Sequence, residues 1–455
     1  MRKSVLSLAV LGTLAAFNLS GCQTTDNANA EVEAATTQPP NIIYMIGDGM
    51  GFEFISAYRY ANSTLGADTL TPTVFDDLLV GAATTYPDDD TWVTDSAASA
   101  TALATGVKSY NGAIGVDTEQ HPQQTLMELA RQHGWLTGAI STSQVTHATP
   151  ASFFTHHPSR REYHAIADSL ATPIAPGKWS FDVLLGGGYA DFSRADKDWL
   201  PELREQGMTI ITEFEQMDGL TRLPAMGLFA PVGLPHAIDD QPRLASMTTT
   251  ALRLLEQQQR EQQKPFALMI EGSQIDWCGH ANDIACAIHE IEDFAQAIAV
   301  VREFMQRHPN TLLVITADHS TGGLTLGQGG EYAWHSDKVM RIQNSLQHLT
   351  TAMLEMPRSE WRDYLGPRLN LAFTEAEWDA VLSVEFAADS STRTQQRQLG
   401  AVLVQLISEH TRTGWTTTGH TAVDVPILAE GPGADELRGY RDNTEIAKVL
   451  LELVK

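Results

Sequence analysis

Asp276 and His280 stand four residues apart in IEGSQIDWCGHAND, so on a helix they share one face and can bind the same ion. Zinc accepts both ligand types. Glu271 opens the same stretch. A solvated polar loop explains any one of the three, but less readily all of them together. Asp318 and His319 follow the apolar run TLLVIT, and His420 lies in TTTGHTAVDVP. A lone histidine at a strand end is ordinarily a hydrogen-bonded structural residue. Several acids and imidazoles gathered at strand mouths repel one another unless a cation binds, and that shifts the balance toward metal. Asp48 lies in GDGMG, where the glycines permit a tight turn and close approach of backbone to a ligand. Taken alone, it reads as a turn residue.

Ser96 lies in VTDSAASATALATG. The Ala-rich stretch after it predicts a helix with Asp95 or Ser96 at its N-cap. Capping explains these residues without any function. The same geometry also favours an alkoxide and a bound phosphate, through free N–H groups and the positive helix end. A serine hydroxyl still needs a base or a metal to lose its proton. No G-x-S-x-G elbow surrounds Ser96, which argues against an acyl-transfer hydrolase. Arg160, in THHPSRR, is the candidate for a bidentate anion clamp, with Arg161 as its direct competitor. His156, His157, His236, His289 and His335 read as ordinary histidines.

The elements that must position these groups alternate. NIIYMI at 41–46 reads as a buried parallel strand ended by Gly-Asp-Gly. TLMELARQHG at 125–134 reads as a helix stopped by Gly134, with WLTGAIS as the next strand. A helix over 248–264 is broken by Pro265 before the strand FALMI, and a long helix over 285–308 leads into TLLVIT. VPILAE at 425–430 is the last strand, with a closing helix near 443–454. This pattern predicts an α/β fold: a largely parallel central sheet covered by helices on both faces. Ligands in such sheets bind beyond the carboxyl ends of strands, where Asp48, Glu271, Asp318 and His319 fall. Residues 336–412 are helical or irregular, rich in Gln and Arg, and read as an insertion over the core.

In this order, NIIYMIGDGMG, VTDSAASATALATGVKSYNGAIGVD, THATPASFFTHHPSR, IEGSQIDWCGHAND, VITADHSTGG and TGHTAVDVPILAEGPGA resemble the alkaline phosphatase family. The resemblance runs from residue 41 to about 434 and skips 336–412, and it implies one catalytic domain over 40–455. It further implies two zinc ions and one magnesium. Asp276, His280 and His420 would hold the first zinc, and Asp48, Asp318 and His319 the second. Magnesium would take Asp48, Thr149 and Glu271. Ser96 would be the nucleophile that hydrolyses phosphate monoesters at alkaline pH through a phosphoserine, with Arg160 clamping the phosphate. The family pattern has Asp and Lys in some bacterial members where His147 and Trp277 stand here. Loss of that lysine implies easier release of product phosphate. The resemblance also carries the family's common homodimer.

MRKSVLSLAVLGTLAAFNLSGC has a basic start, an apolar run and small residues before Cys22, so 1–21 reads as a lipoprotein-type signal peptide. Cys22 would carry the lipid, and 22–39 reads as a flexible tether. The expected location is an outer-membrane-anchored lipoprotein or the periplasm, with no membrane contact except the anchor. The 455 residues hold 56 Asp and Glu against 30 Lys and Arg, a net charge of −26 that argues against nucleic-acid binding. Three cysteines cannot build a disulfide framework, and whether Cys278 and Cys286 pair stays open. Small phosphomonoesters are the expected partners. A diesterase shares the broad superfamily, and a noncatalytic metal- or phosphate-binding lipoprotein is the alternative of another class. A sulfatase would need a C/S-x-P-x-R context that TDSAASA lacks.

Overall fold

The computed structural model describes residues 39–241 and 243–455. The expected signal peptide, Cys22 and the expected tether through residue 38 lie outside them. Ten strands form one sheet: β1 (Asn41–Gly47), β2 (Leu79–Thr84), β3 (Leu136–Gln144), β4 (Val183–Gly187), β5 (Thr209–Ile211), β6 (Ala225–Leu228), β7 (Phe266–Gly272), β8 (Thr311–Thr316), β9 (Val425–Glu430) and β10 (Gly439–Asp442). Their spatial order is β10-β2-β9-β8-β1-β7-β3-β4-β6-β5. All neighbours run parallel except β9, which is antiparallel to both β8 and β2.

The apolar runs of the sequence become the middle of this sheet. Every residue of β1, β3, β7 and β8 is buried, as continuous hydrophobic strands covered on both faces must be. One helical layer pairs Leu244–Gln262 with Ile284–Arg307, packed on β1, β3 and β7. A second layer contains Ser96–Thr105, Leu126–Gln132, Ala148–Phe154 and Asn443–Val454. The largely parallel α/β sheet expected from the alternation is the observed fold. The helix before β7 begins at Leu244, four residues earlier than its periodicity suggests, because Asp293 accepts the N–H groups of Arg243 and Leu244 and caps it from another helix.

Residues 336–412 are mainly helical. Leu346–Glu355, Trp361–Leu369, Glu375–Leu382 and Thr392–Thr411 pack together and bury Trp361, Leu365, Trp378, Leu399 and Leu403. Among the described residues, no helix is long and apolar enough to cross a membrane. Cys278 and Cys286 are joined in a disulfide, which resolves the pairing that their spacing leaves open.

Candidate active site

The carboxyl ends of β1, β7 and β8 lie side by side, because Ile46 pairs with both Glu271 and Thr316. This register sets Asp48, Glu271, Asp318 and His319 at one edge of the sheet, all fully buried. Gly49 must be glycine in the turn after Asp48. Its φ is +75°, and a Cβ there would lie 2.9 Å from the Asp276 backbone. The Gly49 N–H donates to Asp318 Oδ1 over 3.0 Å and locks the two strand ends together.

Ser96 begins a ten-residue helix buried along its whole length, with Asp95 as the N-cap accepting from Ala98 N–H. The Ser99 hydroxyl donates to the Asp318 carbonyl at 2.7 Å, which pins this helix over the end of β8. Ser96 Oγ thereby lies 3.2 Å from His319 Nε2. The same nitrogen is 3.3 Å from Asp48 Oδ1 and from Asp318 Oδ2.

The protons of the three histidines follow from their partners. His280 Nδ1 faces the Thr418 carbonyl at 2.6 Å, and His420 Nδ1 faces the Thr94 carbonyl at 2.8 Å. A carbonyl only accepts, so each Nδ1 carries hydrogen and each neutral ring presents a bare Nε2. Those two Nε2 atoms face each other at 3.2 Å, with Asp276 Oδ2 3.3 Å from that of His280. The Thr321 hydroxyl donates to Asp276 and lies 3.3 Å from His319 Nδ1, so it accepts from that ring and leaves His319 Nε2 bare as well. Lone pairs and carboxylates converging in this way need a cation. In the metal-free chain a proton on His280 takes that part: burial lowers its pKa, but the Asp276 hydrogen bond and charge outweigh it and carry it up to about 9.

The orphaned atoms make the same point. Both oxygens of Asp48, Asp318 Oδ2, Glu271 Oε1 and Thr149 Oγ1 are buried without a hydrogen-bond partner, a costly arrangement unless something else binds them. Burial, then the charges of Asp276 and Glu271, push Asp318 up to about 8. Burial pushes Glu271 up to about 7, against the hydroxyls of Ser141 and Ser273. Burial and the charges of Asp318, Asp276 and Glu271 hold Asp48 far above the usual carboxylate range. Asp276 goes the other way: burial raises it, but His280, His420 and His319 hold it well below that range.

Donor atoms of Asp276, His280 and His420 lie within 4.8 Å of one another, as do those of Asp48, Asp318 and His319, and those of Asp48, His147 and Glu271. The donor sets and the orphaned atoms fit bound metal. The first two groups are the zinc sets that the resemblance implies. In the third, His147 lies beside Asp48 and Glu271 with its Nε2 taken by Arg160, and Thr149 is buried with its hydroxyl unpartnered. Trp277 meets the His147 ring edge-on at 6.1 Å. Arg160 donates to Asp95 Oδ2 at 3.0 Å and to His147 Nε2 at 3.1 Å. Burial and the Arg160 charge lower His147 to about 3, which keeps it neutral. Among the described residues the Arg161 guanidinium has no hydrogen bond or ion pair, so of the adjacent pair Arg160 is the one fixed beside Ser96.

The structure thus brings together every candidate site residue from Asp48 to His420. Reading the sequence misses Thr321 as the group that orients His319, Asp95 as the link between Ser96's helix and Arg160, and Ser141 as a donor to Glu271. Thr321 lies in VITADHSTGG and Asp95 adjoins Ser96, so proximity to the candidates is the signal each one carried.

Residues 40–455 match the family model described as alkaline phosphatase. Alkaline phosphatase 3 of Bacillus subtilis (strain 168) is 40% identical over 453 residues, covering 98% of this chain and 96% of that one. Alkaline phosphatase 4 of the same organism is 37% identical, covering 100% and 97%. Among solved structures, a cold-active alkaline phosphatase from a psychrophilic Shewanella sp. shares 42% identity with a TM-score of 0.83, covering 91% of this chain and 100% of that one. A histidine-to-glutamate variant of the alkaline phosphatase from the Antarctic bacterium TAB5, described as having Mg bound in its M3 site, shares 27% identity with a TM-score of 0.66, covering 92% and 98%.

Proposed function

The chain belongs to the alkaline phosphatase family, and from that premise we propose that it hydrolyses phosphate monoesters at alkaline pH through a phosphoserine on Ser96. The observation that carries this reading is the convergence on Ser96 Oγ. It lies at a helix N-terminus, 3.2 Å from the bare His319 Nε2, beside buried carboxylates without partners.

Asp276, His280 and His420 would hold one zinc and Asp48, Asp318 and His319 a second. Asp48 and Glu271, with Thr149 and His147 beside them, would hold magnesium. When bound, these ions supply Lewis-acid charge that lowers the serine pKa and offsets charge on the phosphoryl and leaving oxygens. The protein's own groups do the positioning. Arg160, held by Asp95 and His147, presents its remaining N–H groups to the phosphoryl oxygens. Free N–H groups at the start of the Ser96 helix favour the same negative charge. Ser96 loses its proton, its Oγ bonds to phosphorus, and the ester P–O bond breaks as the alcohol leaves and takes a proton. Water then attacks the phosphoserine, the Oγ–P bond breaks, and inorganic phosphate leaves. Two in-line displacements give net retention at phosphorus, which a chiral-phosphate assay checks.

The deciding test is para-nitrophenyl phosphate hydrolysis from about pH 6 to pH 11, before and after chelation, with zinc and magnesium restored. Ser96→Ala should cost at least about 10³ in kcat and abolish the trapped phosphoserine. Undiminished turnover by that variant would overturn the reading, and faster turnover of bis(para-nitrophenyl) phosphate would move it to a diesterase. We also read residues 336–412 as an insertion in a single catalytic domain, the chain as able to form a homodimer, and the protein as exported with lipid on Cys22. Intact-mass analysis of the exported protein checks the lipid.

A further inference from the structure

The pocket over Ser96 has a volume of about 560 Å³, within the range that holds a whole small molecule and well beyond what one phosphoryl group fills. Besides Ser96, Asp276, His280 and His420, its lining includes Arg160, Arg161 and Arg393. The three arginines differ. Arg160 is fixed by Asp95 and His147. The guanidiniums of Arg161 and Arg393 make no hydrogen bond or ion pair with any described residue; Arg161 is tied only through its backbone N–H to Ser159. Arg131, Arg194, Arg302 and Arg412 find carboxylates, whereas Arg253 and Arg358 bond only backbone carbonyls; what sets Arg161 and Arg393 apart is that both line the pocket over Ser96.

Helix stability does not explain Arg393 either. It lies in the first turn of Thr392–Thr411, which has no acidic residue there, and a cation at the positive end of a helix is disfavoured. Its helix belongs to the 336–412 segment, which carries none of the sequence motifs that build the metal-ligand cluster. Two unneutralised guanidiniums therefore border the pocket of a strongly acidic protein, open to solvent and to whatever part of the substrate projects away from Ser96.

We propose that Arg161 and Arg393 form a second anion subsite beside Ser96, and that the preferred substrates are phosphomonoesters carrying a second phosphate on the same small alcohol. The inference rests on the Ser96 reading above and adds the identity of the leaving group. A terminal phosphate offers several oxygens to two planar guanidinium forks, a better match than a neutral or aromatic alcohol makes. The net charge of −26 repels polyanions at long range, so a bisphosphate needs local cations to enter. Because both arginines are exposed, the preference should weaken as salt screens them.

The test uses the metal-replete full chain and measures kcat/KM for fructose 1,6-bisphosphate and fructose 6-phosphate. We expect the bisphosphate to be favoured by about tenfold at low salt and less at high salt. Arg393→Glu and Arg161→Ala should each lower that ratio several-fold, and Arg393→Lys should retain part of it. A ratio near one in the unaltered enzyme, or a ratio unmoved by both Arg393→Glu and Arg161→Ala, overturns the subsite. Calorimetric binding of propane-1,3-bisphosphonate against propylphosphonate reads the subsite without turnover. If para-nitrophenyl phosphate is not hydrolysed but Arg393→Glu still weakens the bisphosphonate selectively, the subsite stands and the Ser96 reading falls. If hydrolysis proceeds and neither variant changes bisphosphonate selectivity, the subsite falls alone.

Discussion

Two buried clusters of acids lie close together in this molecule and are settled in opposite ways. In one, Glu290 and Asp293 face Arg243: Glu290 Oε2 is 3.1 Å from Arg243 Nη2, and Glu290 Oε1 accepts the Ala237 N–H at 2.7 Å. Burial alone would raise Glu290, yet Arg243 and His236 hold it below the usual carboxylate range; Asp293, 3.5 Å from Arg243 Nε, is still raised by burial against the pull of Arg243. In the other, Asp48, Asp318 and Glu271 have orphaned oxygens and pKa values pushed upward. The first cluster contains its own cation. The second is left short of positive charge, which identifies it as the place where the protein expects charge from outside.

Substitution should separate the two most widely. Asp48→Asn in the metal-loaded enzyme is expected to cost at least about 10³ in kcat, while at alkaline pH the metal-free protein loses a source of repulsion and becomes no less stable. Arg243→Met should instead cost about 3–5 kcal/mol with or without chelator, because it strands two buried acids. Urea unfolding of both variants in both states checks this. Equal destabilisation of the metal-free protein by the two changes would break the contrast.

The next effect is one of sign. Asp318 and Glu271 have folded-state pKa values raised to about 8 and about 7, and His280 is raised to about 9. Above the ordinary imidazole pKa, where the lowered His147 and His319 no longer take up protons on unfolding, the folded metal-free protein therefore holds more protons than the unfolded chain. Its stability should fall as pH rises from about 7 to about 9. Glu290 is lowered, and its contribution is present above the ordinary carboxylate pKa and is lost as pH falls through its folded value. Bound metal should remove the first dependence and leave the second. Thermal unfolding from about pH 3 to about pH 9, with and without metal, reads both. A metal-free protein that gains stability over the same rise would contradict the assignment.

The disulfide stands between the clusters. Cys278 shares a short helix with Asp276 and His280, and its Sγ is 3.8 Å from His236 Nδ1. Replacing Cys278 and Cys286 with serine opens a link spanning eight residues and should cost about 2–3 kcal/mol, seen as a lower urea midpoint. No change in midpoint would show that packing alone holds the two helices. The smallest effect expected is that of Trp277→Lys, which gives the site a cation of its own. Inorganic phosphate should then inhibit a few-fold more tightly, and an unchanged or weaker inhibition constant would contradict the expectation of easy release in the present chain.

Much of this was legible in the residues. β1, β7, β8 and β9 are largely apolar runs and β3 follows a clear helix stop at Gly134, and these strands carry or adjoin most of the site. β2, β4, β5, β6 and β10 escape the reading because they are short or glycine-bearing, as in VLLGG, AMGL and GYRD. Such segments become strands through their neighbours and not through their own pattern. The same holds at the site. Asp276 and His280 announce themselves by spacing, whereas Thr321 gains its task only when the fold sets it between Asp276 and His319. The carbonyls of Thr94 and Thr418 orient two rings without any side-chain signature.

The position of β9 has a consequence in time. It arrives last among the inner strands yet sits between β2 and β8, and His420 just before it reaches back to Thr94 across 326 residues. Until residues 425–430 leave the ribosome, β2 is cut off from the rest of the sheet, and the candidate metal donor His420 is made hardly earlier. Catalytic life is expected to begin only once residue 430 has been made, and a product that stops before His420 is expected to be inert.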